Sequence, residues 1–166
     1  MNRSTLAAAA IAASTIVSGG AVAADQAANI QTIKDFYQFL ENKDVPSFAE
    51  LLADEAVQDM PYAPSNFMNR VETREGIHEL FAGFPDATNH VRFDILAIYP
   101  TNDANVVLAE IDGMIDFKGA EKPYLQQYMT VFNFDDEGKI TLFREYFNPI
   151  PFAEAVGLGK YVPAVE

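Results

Sequence analysis

The chain has 166 residues with no cysteine and no tryptophan, and its 24 Asp and Glu against 11 Lys and Arg give a formal net charge of −13. Without cysteine there are no disulfides, thiolate ligands or cysteine nucleophile, so the fold must rest on an ordinary apolar core, for which 13 Phe and 7 Tyr are available. So acidic a chain is not suited to nucleic acid or an anionic membrane, which are bound through Lys and Arg, and its surface charge leaves the sign of a small ligand open.

Met1 to Ala24 contains one basic residue, Arg3, an apolar run from Leu6 to Val17, and small residues Ala21-Val22-Ala23-Ala24 before Asp25. This is the layout of a secretory signal peptide, with cleavage expected after Ala23 or Ala24. The apolar run, broken by Ser14 and Thr15, is well short of the roughly 20 residues of a membrane-spanning helix. Residues 1–24 are therefore expected to be a signal peptide and 25–166 one mature domain, periplasmic or secreted, without membrane contact once the signal is removed.

Ile30, Ile33, Phe36, Tyr37 and Leu40 recur at three- and four-residue steps, which predicts a helix over 29–43 ended by Asn42-Lys43-Asp44. Ser47 and Glu50 form a capping box for a short second helix that buries Phe48, Leu51 and Leu52. Thr73 is placed to cap a third helix, with Ile77, Leu80, Phe81 and Phe84 on one face until Pro85 stops it. Between these helices, Ala56 to Tyr62 reads as extended, and Pro61 and Pro64 confine it to a short edge strand and loop.

The remainder is rich in Val, Ile, Phe and Tyr and predicts strands at 89–99, 105–117, 124–134 and 139–147, joined by short breaks and so antiparallel. Three helices before such a meander give an α+β fold with the helices on one face of the sheet. In the last strand Thr141, Phe143, Glu145 and Phe147 alternate with Ile140, Leu142, Arg144 and Tyr146, so both faces are substantially apolar. One face packs on the helices; the other predicts a homodimer through the outer sheet face.

The chain has no glycine-rich phosphate loop, no Gly-x-Ser-x-Gly elbow and no His-Glu-x-x-His, and its only histidines are His78 and His90, so neither a metal centre nor a cofactor is expected. Asp135-Asp136-Glu137-Gly138 has calcium-ligand residue types without the loop spacing, and reads as a hairpin turn. The informative residues are acids inside apolar strands: Glu110, Asp112 and Glu145. A buried carboxylate costs several kcal/mol unless paired, hydrogen-bonded or neutral. Two readings stay open: outward acids paired with Arg144 or Lys139, or a polar pocket whose desolvated glutamate serves as an acid or base near neutral pH. Tyr124 and Tyr128 share a face and either hydrogen-bond such acids or pack as core.

Leu51-Leu52-Ala53-Asp54-Glu55-Ala56-Val57 running into Asp59-Met60-Pro61-Tyr62-Ala63-Pro64 resembles the first-strand motif of SnoaL-like proteins in the nuclear transport factor 2-like superfamily. Asp136 to Ile140 followed by Arg144-Glu145-Tyr146-Phe147-Asn148-Pro149 is similar to that family's last hairpin and strand, and the nearest branch is the phenazine-biosynthesis A/B proteins. The resemblance covers about Asn29 to Gly157. It implies a cone-shaped, curved, mostly antiparallel sheet wrapped around about three N-terminal helices with an internal pocket, and dimerisation through the sheet's outer face. It also implies that Met60, Tyr62, Tyr128, Thr130, Phe143, Glu145 and Phe147 point inward, and continuing that register by alternation adds Glu110 and Asp112.

The family's catalytic residues carry over only in part. Where the ketosteroid isomerase branch has a first-helix Tyr, a first-strand Asp base and a third-strand Asp, this chain has Phe36, Met60 and Thr130, so that mechanism lacks its base and both oxyanion donors. The Asp-Arg-Asp set of the epoxide hydrolase branch has no evident inward Arg here. Glu145 matches the acid/base glutamate of the phenazine A/B proteins, but their third-helix His falls near Gly76 or Leu80, not at His78, and phenazine chemistry is cytoplasmic. The resemblance thus implies a pocket for a small hydrophobic molecule, with Glu145 as the catalytic candidate and Glu110 or Tyr128 positioning it or stabilising developing charge. A non-catalytic binding protein and an assembly role are the alternatives.

The N-terminal pattern gives the first prediction: mass spectrometry of the protein from its native host will show a chain beginning at Ala24 or Asp25, and an intact Met1 in the mature pool would refute export.

Overall fold

The computed structural model describes the backbone of residues 18–159 and the side chains of residues 25–159; the expected signal peptide, 1–24, lies outside the residues whose side chains are described. Helix α1 (Ser18–Glu41) starts earlier than the predicted Asn29, in an alanine-rich stretch of high helix propensity. Helix α2 (Val45–Glu50) is capped by Asp44 rather than Ser47: the Asp44 Oδ1 accepts the Ser47 N–H at 3.1 Å, and Pro46 in the first turn supplies a preset φ.

Strand β1 (Leu52–Asp59) begins directly after α2, so Leu52 belongs to the sheet and not to the helix. Strand β2 (Arg70–Glu72) follows, a three-residue element too short and polar to leave a periodic signal. Thr73 caps α3 (Arg74–Ala82) as predicted, accepting the Gly76 N–H at 3.1 Å. Pro85 does not stop that helix; it lies in the first turn of α4 (Phe84–Ala87), where its missing N–H costs nothing. The long strands β3 (Thr88–Pro100), β4 (Val106–Phe117), β5 (Tyr124–Phe134) and β6 (Ile140–Phe147) follow, then helix α5 (Pro149–Ala155).

These strands form one sheet in the order β2-β1-β6-β5-β4-β3, antiparallel throughout except where β1 runs parallel to β6. The expected edge strand is therefore internal: Pro61 and Pro64 fall in the loop beyond β1 and remove no ladder donor, while β2 takes the edge. The result is an α+β cone, a curved and mostly antiparallel sheet with helices laid into its concave face.

Packing centres on Phe36 of α1. Its ring meets Phe143 at 4.6 Å, Phe48 at 4.9 Å and Phe132 at 5.3 Å, joining α1, α2, β5 and β6 in one aromatic cluster. Phe36, Phe48 and Phe132 are all fully buried. Truncating Phe132 to Ala removes a ring shared by α1 and two strands; it will cost roughly 3–5 kcal/mol and lower Tm by about 10 °C, measured by thermal unfolding.

Candidate functional site

Strand alternation decides the chemistry of β6. Phe143 and Phe147 point into the cone with Glu145 between them, while Arg144 points out and binds Asp59 of β1, Nε to Oδ2 at 2.7 Å. The strand's own cation is thus engaged on the far side of the sheet and cannot neutralise Glu145. The Glu145 carboxylate accepts one hydrogen bond, from Gln58 Nε2 of β1 at 3.3 Å. Burial pushes the Glu145 pKa up to about 7, and the Gln58 hydrogen bond opposes that rise only in part.

Glu145 opens onto a cavity of about 390 Å³ between the sheet and α1, α3, α4 and α5, within the size range of small-molecule sites. The walls are overwhelmingly apolar, with Phe67, Phe81, Phe93, Phe117 and Phe152 among them. The polar groups on them come from Glu145, Gln58, Tyr37, Tyr124 and Tyr128. Gln58 is 2% exposed, and its Oε1 has no hydrogen-bond partner in the protein, a deficit of about 1–3 kcal/mol for a buried acceptor. The Tyr37 hydroxyl contacts Thr130 Oγ1 at 3.4 Å, and Thr130 in turn donates to the Ala109 carbonyl at 3.1 Å. Burial raises the pKa of all three tyrosines, that of Tyr124 to about 12, so they are neutral hydroxyls at physiological pH.

Of the residues expected to face the cavity, Met60, Tyr128, Phe143, Glu145 and Phe147 do so. Thr130 lies just behind the wall, fully buried and held by its hydrogen bonds. Tyr62 does not reach the cavity: the loop after β1 carries it outside, 58% exposed, with its ring against Tyr146 at 5.6 Å.

Glu110 and Asp112 are on the opposite face from the one expected. They pair across from Met129 and Gln127, whereas the inward residues of β5 face Ala109, Ile111 and Gly113 of β4. An offset of one residue in pairing sends a whole alternating set to the other face. Outside, Glu110 accepts the Tyr99 hydroxyl at 3.0 Å.

Sequence reasoning missed Gln58 and the part played by Tyr37, which it took for core. An inward polar residue between Ala56 and Met60 in a period-two strand was the available sign for Gln58. It also missed α5, although Asn148 as cap and Pro149 at the first helical position are a sequence signature of a helix start. Neither His78 nor His90 lines the cavity.

The chain is 33% identical over 138 residues to the uncharacterised protein YesE of Bacillus subtilis, covering 82% of this chain and 91% of that one. It is 34% identical over 122 residues to an uncharacterised PhzA/B-like protein of Pseudomonas aeruginosa, covering 72% and 84% respectively. Among solved structures, a Bacillus subtilis protein provisionally described as an isomerase superposes with a TM-score of 0.74 at 28% identity, over 82% of this chain and 97% of that one. A Mycobacterium tuberculosis protein in complex with estradiol-17β-hemisuccinate shares the fold with a TM-score of 0.65 at 14% identity, over 73% and 94%. Residues 33–143 match the SnoaL-like domain, and the chain belongs to that family, within the nuclear transport factor 2-like fold and near the PhzA/B branch.

Proposed function

We propose that the chain is an exported pocket protein that takes a small, largely apolar carbonyl or ring compound into the cone and acts on it without a cofactor, Glu145 serving as acid/base. The observation that carries this reading is a glutamate with a pKa near 7 opening onto an apolar cavity with no cation beside it. A general base is most effective when its pKa lies near the working pH, and an apolar wall suits proton transfer next to a carbonyl, as in isomerisation, cyclisation or hydrolysis-like steps. The family neighbours support the class of ligand, one being provisionally described as an isomerase and another holding a steroid ester. Export rests on the N-terminal sequence pattern, and pairing of two copies on the apolar side chains of the outer sheet face, Tyr99 and Leu125 being exposed there. The second reading, a binding protein without turnover, is favoured by Tyr62, Glu110 and Asp112 standing outside the cavity, which leaves Glu145 as its single acid.

The groups facing Glu145 are Gln58 from β1, Tyr37 from α1, and Tyr124 and Tyr128 from β5, all neutral at pH 7. Among the described residues, Glu145 is therefore the cavity group that titrates near neutrality. Its folded pKa is above the ordinary value of 4.5, so the folded state prefers it protonated. That stabilisation is complete below pH 4.5, declines as pH rises toward 7, and is gone above it. Glu145→Gln, which resembles the protonated acid, will match the parent's Tm near pH 4.5 and exceed it by several degrees at pH 8. A Tm difference independent of pH would show that Glu145 does not titrate in this window.

Catalysis and binding separate in one experiment with 1-tetralone, a bicyclic ketone whose hydrogens next to the carbonyl exchange slowly in D2O. Exchange followed by NMR will be accelerated by the parent protein, with a rate that climbs through pH 7 to a plateau, and will fall at least a hundredfold in Glu145→Gln. Binding without accelerated exchange would establish the binding-protein reading; no binding of the ketone would overturn both.

A further inference from the structure

Strand β4 turns Val107, Ala109, Ile111, Gly113 and Ile115 into the cone, and at Gly113 that row lacks a side chain. A glycine in the interior of a strand loses more conformational freedom on folding than any other residue and packs nothing, so its place calls for a reason. Backbone shape does not supply one. Gly119 and Gly138 take φ of 84° and 77° in their turns, but Gly113 is not among the glycines of positive φ. Nor does it mark a bulge: pairing runs unbroken through Gly113, with Phe93 of β3 on one side and Gln126 of β5 on the other.

What meets the position is a pair of aromatic rings. A Cβ at Gly113 would lie 2.8 Å from Tyr128 Cε2 and 3.1 Å from Phe93 Cε1, both closer than carbon atoms pack. Phe93 stands directly across from Gly113, and Tyr128 reaches it diagonally from its own place opposite Ile111. Two rings from the flanking strands thus lean onto the bare backbone of β4, and both line the cavity. Each also has a ring at its side, Tyr37 at 5.3 Å from Phe93 and Phe147 at 6.0 Å from Tyr128. A side chain at 113 would point into the cone like the rest of its row, and so would lift both rings off the sheet toward the open volume they border.

We propose that Gly113 is a specificity-determining residue: its missing side chain lets Phe93 and Tyr128 lie down on β4, and so sets how large a ring system the cavity admits. The cavity of about 390 Å³ is in the range that takes drug-sized ligands, a class that includes compounds of three fused rings. Adding a Cβ introduces one carbon but displaces two rings, so the room lost exceeds the volume added. A close-packed interior has no slack elsewhere to absorb that displacement. Discrimination at this end of the cavity is therefore by size, separate from any chemistry at Glu145.

This inference rests on the cavity being a small-molecule pocket, and two probes keep the two claims apart: naphthalene and phenanthrene, which differ by one fused ring and have no hydrogen-bonding group. Fluorescence titration of the parent will show both binding, phenanthrene the more tightly because it buries more apolar surface. Gly113→Ala will weaken phenanthrene about tenfold and leave naphthalene within about twofold. Adding Phe93→Leu to that variant gives back the room and will restore the preference for phenanthrene, which a mere loss of packing would not do. Should Gly113→Ala fail to fold, Phe93→Leu alone decides the matter: it will raise the affinity for phenanthrene relative to naphthalene. A ratio of the two affinities that stays at the parent's value in these variants overturns the Gly113 assignment while the pocket stands. If neither hydrocarbon binds the parent, the pocket reading fails and takes this inference with it.

Discussion

The organisation of the site follows from one electrostatic separation: Arg144 and Glu145 are neighbours in sequence but lie on opposite sides of the sheet. Arg144 spends its charge on Asp59 at 2.7 Å, while Glu145 enters the cone with only the neutral Gln58 amide to hold it. A carboxylate paired with a guanidinium is held ionised across the physiological range, and so cannot trade protons near pH 7. Period-two alternation, which no side chain in a regular strand escapes, is what keeps the pair apart. The same alternation puts Phe143 and Phe147 on either side of the acid, where their rings replace part of the water that would otherwise solvate its charge.

The aromatic core is arranged to leave space rather than to fill it. Phe36, Phe48, Phe132 and Phe143 close one end of the cone with ring separations of about 4.6 to 5.3 Å. The other end is covered by elements outside the sheet, where Phe152 of α5 meets Phe67 of the β1–β2 loop at 4.8 Å and Phe147 at 5.3 Å. The members of the first cluster are fully or almost fully buried, whereas Phe67 and Phe152 of the second are only partly buried. Core and pocket thus share one sheet face, and Phe143 belongs to both, packing on Phe36 while it lines the cavity.

Much of this was legible in the sequence, and the failures have physical causes. The i, i+3, i+4 pattern around Phe36 and the capping position of Thr73 are local signals, and both helices formed there, although α1 starts earlier than read and α3 ends at Ala82, short of Phe84. The inward placement of Phe143, Glu145 and Phe147 likewise follows from alternation along a single strand. Glu110 and Asp112 went to the wrong face because register between strands is a non-local quantity: Val106 to Asp112 alternates hydrophobic and acidic residues so weakly that either phase is acceptable to β4 taken alone. Only pairing with Tyr128 and Thr130 across the ladder decides it. Tyr62 failed for a related reason, since a loop bounded by Pro61 and Pro64 ends the strand at Asp59 and with it the alternation. Gln58 was overlooked because a polar residue in a strand is ordinarily outward, although its place between Ala56 and Met60 in a period-two strand marked it as inward.

Glu145 also explains why a buried glutamine with an unsatisfied oxygen is tolerated. Gln58 has one amide to offer and two protonation states of Glu145 to serve. With the carboxylate ionised, Nε2 donates to it and Oε1 is left without a partner, which is the arrangement observed. With the carboxyl protonated, its O–H requires an acceptor, and an amide, unlike a Lys or Arg, carries one. A hydrophobic residue would serve neither state, and a Lys or Arg would hold the ionised one permanently. The amide's single neutral hydrogen bond favours the ionised form and offsets only part of the rise that burial imposes, so the acid remains close to its midpoint at neutral pH. The unsatisfied oxygen is the cost of keeping Glu145 able to change its charge.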